Sequence, residues 1–151
     1  MVTLEDLESF LYRMDVDFEE VDEGMFLVRS RNGSPPIVVH HSSPLLLLRM
    51  KVMDLPPGGE ENAELFRTLL QLNASDVVHG AYGLEEDEII ISDTLELETL
   101  DFHEFQASVE SIQLALSGHM NQIRSLAGVE AGHGAGAAGA AGSDGSGGGE
   151  G

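Results

Sequence analysis

The sequence has no cysteine and no tryptophan, and only 7 Lys plus Arg stand against 27 Asp plus Glu. Without cysteine there is no disulfide, no thiolate nucleophile and no cysteine zinc site. The shortage of bases leaves a formal net charge of −20. Such a surface repels phosphate and anionic headgroups, which makes nucleic acid and membranes poor partners. Long apolar runs are missing too: none approaches the ~20 residues that cross a bilayer. The first ten residues, Met1 to Phe10, are acidic where a signal peptide would be basic. The expectation is a soluble, cytoplasmic protein.

What is present is enough apolar residue, 42% of 151, for one domain of ordinary size. Composition changes abruptly after Ala127. Of the residues from Gly128 to Gly151, 11 are Gly and 6 are Ala, and Val129 is the one large apolar residue. That segment buries too little surface to offset its ordering entropy, so residues 128–151 read as a disordered Gly/Ala-rich tail and residues 1–127 as a single domain. The tail carries only Glu130, Asp144 and Glu150, so the acidity belongs to the domain, whose 24 acids and 7 bases sum to −17.

Thr3 reads as an N-cap with Asp6 three residues on, and Val2 with Leu7 as a staple. Leu4, Leu7, Leu11 and Met14 recur at helical spacing and predict a helix over 4–14. Four strands should follow, at Asp17 to Val21, Met25 to Ser30, Ile37 to His41 and Leu45 to Met53. They are separated by Gly24, Asn32-Gly33 with Pro35-Pro36, and Ser43-Pro44. A second helix starts near Glu60, with Asn73 as its stop. Strands at Val77 to Tyr82 and Glu88 to Leu97 are then joined across Gly83 and Glu85-Glu86-Asp87. Asp101 with Glu104 should cap the last helix in a capping box. Its apolar stripe is Phe102, Phe105, Val109, Ile112, Leu116, Ile123 and Leu126, with His119 in the one gap. At 1.5 Å per residue this helix would be about 37 Å long, as long as the domain is wide. It either lies on its own sheet, breaks at Ser117-Gly118, or projects onto a second copy.

Catalytic motifs are missing. His40 and His41 alternate across a strand and cannot share one metal, and His79 and His103 have no partner at ligand spacing. The acidic run from Asp15 has Glu20 where a calcium loop needs Gly and Phe26 where it needs Glu. There is no phosphate-binding loop and no G-x-S-x-G. No cofactor is implied. Alternation along the strand from Leu45 puts Leu46, Leu48, Met50 and Val52 on one face and Leu45, Leu47, Arg49, Lys51 and Met53 on the other. The first set is core. The second is mixed, and Arg29, Arg31, Arg49 and Lys51 gather on or near these strands. They either pair with local acids or mark a half-apolar face that receives a partner segment, with Leu45, Leu47 and Met53 as anchors. Leu65, Phe66, Leu69 and Leu72 give the second helix an apolar face for the core or for a dimer interface.

The order α-β-β-β-β-α-β-β-α, an α+β antiparallel sheet with flanking helices, resembles the type III secretion chaperone-like fold of YbjN-type proteins and the Tir chaperone group. The likeness is carried by Ala63 to Asn73, Val77 to Gly83 and Glu88 to Leu97, in which a helix ending Leu-x-Asn leads into a strand, a tight turn and a second strand. The resemblance implies a small acidic protein, commonly a homodimer, that catalyses nothing and holds an extended polypeptide. It carries over no individual functional residue. The function expected is therefore a non-enzymatic chaperone-like or adaptor module that holds a protein or peptide segment, favouring a basic one. A regulatory domain that binds a folded signalling or secretion protein, and an acidic mimic of nucleic acid, are the alternatives.

Overall fold

A computed structural model describes residues 1–30 and 33–128 of the chain. The segment expected to be a tail lies outside the described residues from 129 onward, as do Arg31 and Asn32. The elements run α1 (Leu4–Met14), β1 (Asp17–Asp22), β2 (Met25–Arg29), β3 (Ile37–Ser42) and β4 (Leu45–Asp54). A short 3-10 turn at Glu60–Asn62 leads into α2 (Ala63–Ser75), then β5 (Ala81–Glu85), β6 (Glu88–Glu96) and α3 (Phe102–Leu126). This is the expected order.

The six strands form one antiparallel sheet in the order β1-β2-β3-β4-β6-β5. All successive pairs but one are hairpins. The exception is β4 with β6, which brings the N-terminal meander and the C-terminal hairpin together across α2. The three helices pack on one face of this sheet. Phe26, Val28, Ile37, Val39, Leu46, Leu48, Met50, Ile89 and Ile91 point toward them and are essentially inaccessible. They meet Leu7 and Leu11 of α1, Leu65 of α2, and Phe105, Val109, Ile112 and Leu116 of α3 in one core.

Local signals explain the helix ends. The Thr3 hydroxyl accepts from the Asp6 N–H and the Asp6 carboxylate accepts from the Thr3 N–H, which closes the capping box. That bond holds the Asp6 carboxyl below its usual range. At α3 only half of the expected box forms: Asp101 accepts from the Glu104 N–H. The helix is continuous through Gly118 and lies on its own sheet, with Ile123 fully buried near its far end.

Two boundaries differ from expectation. Val77 to Gly80 form a loop rather than a strand, because Gly80 has φ +89 and its α-carbon lies against the Ser92 carbonyl, where a Cβ would come within 2.7 Å. Gly83 lies inside β5, paired with Ile90, and the chain reverses at Glu86-Asp87 instead. Nor does Asn73 stop α2. Its amide donates to the Tyr82 carbonyl (3.1 Å) and its Oδ1 accepts from the Tyr82 N–H (2.7 Å), taking the place of a neighbouring strand on the outer edge of β5.

Candidate partner-binding site

The second face of the sheet carries none of the three helices. Strand register assembles it in rows: Met25 beside His40 beside Leu47, Leu27 beside Val38 beside Arg49, and Ser42 beside Leu45. Met25, Leu27, Val38, His40, Leu45, Leu47 and Met53 are all half-buried, while Arg49 and Lys51 are exposed. Leu45, Leu47, Arg49 and Lys51, four of the five residues predicted from alternation in β4, share this open face. Met53 does not: a bulge between Lys51 and Met53 sets it opposite Ile89, on the side of the helices, and it packs against the core. A concavity of about 620 Å³ opens between Met25, Pro35, Pro36, Val38, Arg49 and Lys51, within the roughly 300–1,000 Å³ of small-ligand clefts.

The cations on this face are partnered. Arg49 pairs with Glu85 and, at 3.9 Å, with Glu88. Lys51 donates to Asp54 and to Glu88, both at 2.9 Å, and these bonds push its pKa up, Asp54 first. Arg29 pairs with Glu19. They are solvent-exposed pairs that keep a half-apolar sheet hydrated, and they can exchange for other carboxylates at little cost. Met25, Leu27, Val38, His40 and the Pro35-Pro36 pair were missed as members of the face. The signal was available, since antiparallel register carries the β4 alternation directly into β3 and β2.

The face expected on α2 needs correction. Leu65, Leu69 and Leu72 are 0%, 5% and 8% exposed. They are turned into the chain's own core and are closed to a second copy. Only Phe66 remains half-exposed, and the apolar residue that α2 does present is Leu70, at 68%. With Leu84 of β5 these two line a groove of about 320 Å³ beside the edge of the sheet.

His41 and His119 serve structure. The His41 ring bonds the Val2 carbonyl through Nε2 at 2.9 Å, and His79 lies in the loop before β5. No group of three or more His, Asp or Glu able to hold a metal occurs among the described residues. His119, which fills the gap in the α3 stripe, is buried between Tyr82 and Asp76. A carboxylate only accepts, so Nε2 carries the proton that faces Asp76 and Nδ1 accepts from the Tyr82 hydroxyl. Burial pushes the Tyr82 pKa well up, which leaves a protonated phenol that is a poor nucleophile. This chain of bonds ties α2 and β5 to α3, and its Asp76 end is half-exposed.

No described helix is long and apolar enough to cross a membrane. Curated protein sequences give no match. Among solved structures the fold resembles a chain of the heterodimeric ExoU-SpcU complex from the type III secretion system of Pseudomonas aeruginosa. The TM-score is 0.61 at 11% identity, over 80% of this chain and 97% of that one. It also resembles YbjN from E. coli (TM-score 0.57, 15% identity, 78% and 90% covered). A third likeness is to the Yersinia pestis type III secretion chaperone SycH in complex with a fragment of YscM2 (TM-score 0.54, 15% identity, 76% and 98% covered). At these identities the likeness is one of fold. Residues 1–128 match the model of the CesT_Tir_1 family, and the chain belongs to this type III secretion chaperone family.

Proposed function

We propose that the protein acts in the cytoplasm as a non-enzymatic chaperone-like or adaptor module that holds an extended partner polypeptide on the open face of its sheet. The observation that carries this reading is the helix-free face itself, with Met25, Leu27, Val38, Leu45 and Leu47 half-exposed side by side. Contiguous apolar surface of this kind on a single chain marks an interaction site. Relatives in fold such as the ExoU-SpcU complex and SycH with its YscM2 fragment join a chain of this shape to another polypeptide, which supports the reading.

Leu45 and Leu47 serve as anchors, and Arg49 and Lys51 set the register of the partner by exchanging their present carboxylates for its own. The net charge of −20 favours a segment that is basic overall and keeps the complex dissolved. The protein works as a homodimer in this reading. The surface for the second copy is Phe66, Leu70 and Leu84, where α2 and the edge strand β5 leave apolar side chains exposed.

The deciding experiment is co-purification of a tagged chain from its host at physiological salt, beside a Leu47→Asp variant whose circular dichroism matches the original. One stoichiometric polypeptide retained by the original and lost by the variant is the expected result. Equal retention by both removes the sheet face from the proposal. Recovery of the protein alone removes the binding role.

A further inference from the structure

Far from the open sheet face, on the helical side, the loop after α2 and the middle of α3 enclose a groove of about 460 Å³. Two of the most exposed large apolar residues of the described chain stand on its rims: Val78 is 80% exposed and Leu114 is 71% exposed. Glu110 lies one turn before Leu114 on the same flank of α3, and Ala107, Ser111 and Ala115 form a floor of small side chains beside them. Asp76 closes the opposite wall at the C-terminal end of α2, where the helix dipole adds further negative potential.

The walls are held in place before anything binds. The Ser111 hydroxyl accepts from the His79 N–H (3.0 Å) and donates to the His79 carbonyl (3.3 Å), which clamps the loop onto α3. Gly80 fixes the exit of the loop into β5 by its contact with the Ser92 carbonyl. Asp76 is oriented by the Ser75 hydroxyl (2.7 Å) and by His119 (3.2 Å), so its carboxylate keeps a set direction. Glu110 is exposed and makes no ion pair with any described residue.

We propose that this groove is a second docking site that takes an arginine or lysine side chain from a partner polypeptide. The charge is complementary: two carboxylates and a helix C-terminus face the groove, and among the described residues no Lys or Arg lines it, the basic side chains there being the His79 and His119 imidazoles. The shape agrees with the chemistry. A long basic side chain has an apolar stem to lay between Val78 and Leu114 and a charged head to place between Glu110 and Asp76. An acidic or neutral side chain of the same length gains the apolar contact only. The site stands independently of the sheet face, and Leu47→Asp leaves it intact.

The test uses the full chain, labelled with nitrogen-15, and two probe peptides of equal size: acetyl-Leu-Arg-Leu-amide and its neutral counterpart with citrulline in place of arginine. The arginine peptide is expected to shift the amides of residues 78–80 and 110–115 saturably and to bind about fivefold tighter than the citrulline peptide. Glu110→Gln reduces that difference, Asp76 remaining in place, and Leu114→Ser weakens both peptides. Both residues are exposed, so the variants keep the urea midpoint of the original, which separates lost binding from lost fold. Equal binding of the two peptides overturns the proposal. So does an undiminished preference in Glu110→Gln, an unsaturable drift spread over the acidic residues of β1, or no shift at millimolar peptide.

Discussion

The hydroxyl of Tyr82 and Nδ1 of His119 lie 2.8 Å apart, and the opposite nitrogen of the same ring reaches Asp76 at 3.2 Å. Three elements, α2, β5 and α3, are joined by this one imidazole. Tyr82→Phe leaves a buried ring nitrogen without its donor and should cost about 1–3 kcal/mol. Urea unfolding checks it: the midpoint should fall with the slope unchanged.

Asp76 makes the same network sensitive to acid. The Ser75 hydroxyl first, and then His119, hold its carboxyl below the usual range. A carboxyl whose folded pKa is lowered stabilises the fold above its unfolded pKa of about 3.9, and the contribution is lost as pH falls through the folded value. Asp76→Asn should therefore unfold at lower urea than the original near neutral pH. The two midpoints should converge as pH falls below about 4, and a series of urea titrations from neutral pH downward reads this directly.

Neighbours on β4 should respond in opposite ways. Leu46 is fully buried under the helices, and Leu46→Ala should cost about 2–5 kcal/mol. Leu47 is half-exposed on the open face, and Leu47→Ala should cost less than about 1 kcal/mol while weakening partner capture. Thermal unfolding beside a pull-down separates the two effects.

Two glycines make a second opposed pair. Gly80→Ala forces a Cβ into the Ser92 carbonyl at a positive φ and should destabilise by more than about 1 kcal/mol. Gly118 sits exposed inside α3 with open space around it, and Gly118→Ala should stabilise by about 0.5–1 kcal/mol.

Sedimentation equilibrium tests the second copy. Leu70 is 68% exposed on α2, and Leu70→Glu should give a monomer of unchanged circular dichroism. A Leu65→Glu variant should instead unfold, because Leu65 is fully buried in the core of a single chain.

The period of two along Leu45 to Val52 was legible because β4 lies near the middle of the sheet with helices on one side only, while the bulge that turns Met53 to the core side leaves no mark in the alternation of residue types. The α3 stripe was legible for the corresponding reason at helical spacing. Val77 and Val78 misled, since β-branched residues favour strands locally while Gly80 and the Ser111 clamp decide the loop from outside it. The α2 stripe showed which residues are apolar but could not separate Leu69 from Leu70, because that depends on where β5 runs. The role of His119 was beyond reach, since Tyr82 and Asp76 lie 37 and 43 positions away from it. The groove at Leu114 was missed as well. That residue falls off the apolar stripe, and its importance rests on a loop placed by tertiary contacts.

The pairing of β4 with β6 has a consequence for the chain as it is made. β4 is the most leucine-rich strand, and its partner is delivered only after α2 and β5 have been synthesised. At roughly 5–20 residues per second, the N-terminal meander waits about two to eight seconds with that edge unpaired. During this interval Leu45 to Leu48 form an open template for pairing with another nascent copy. The central seam of the sheet is thus the last to close.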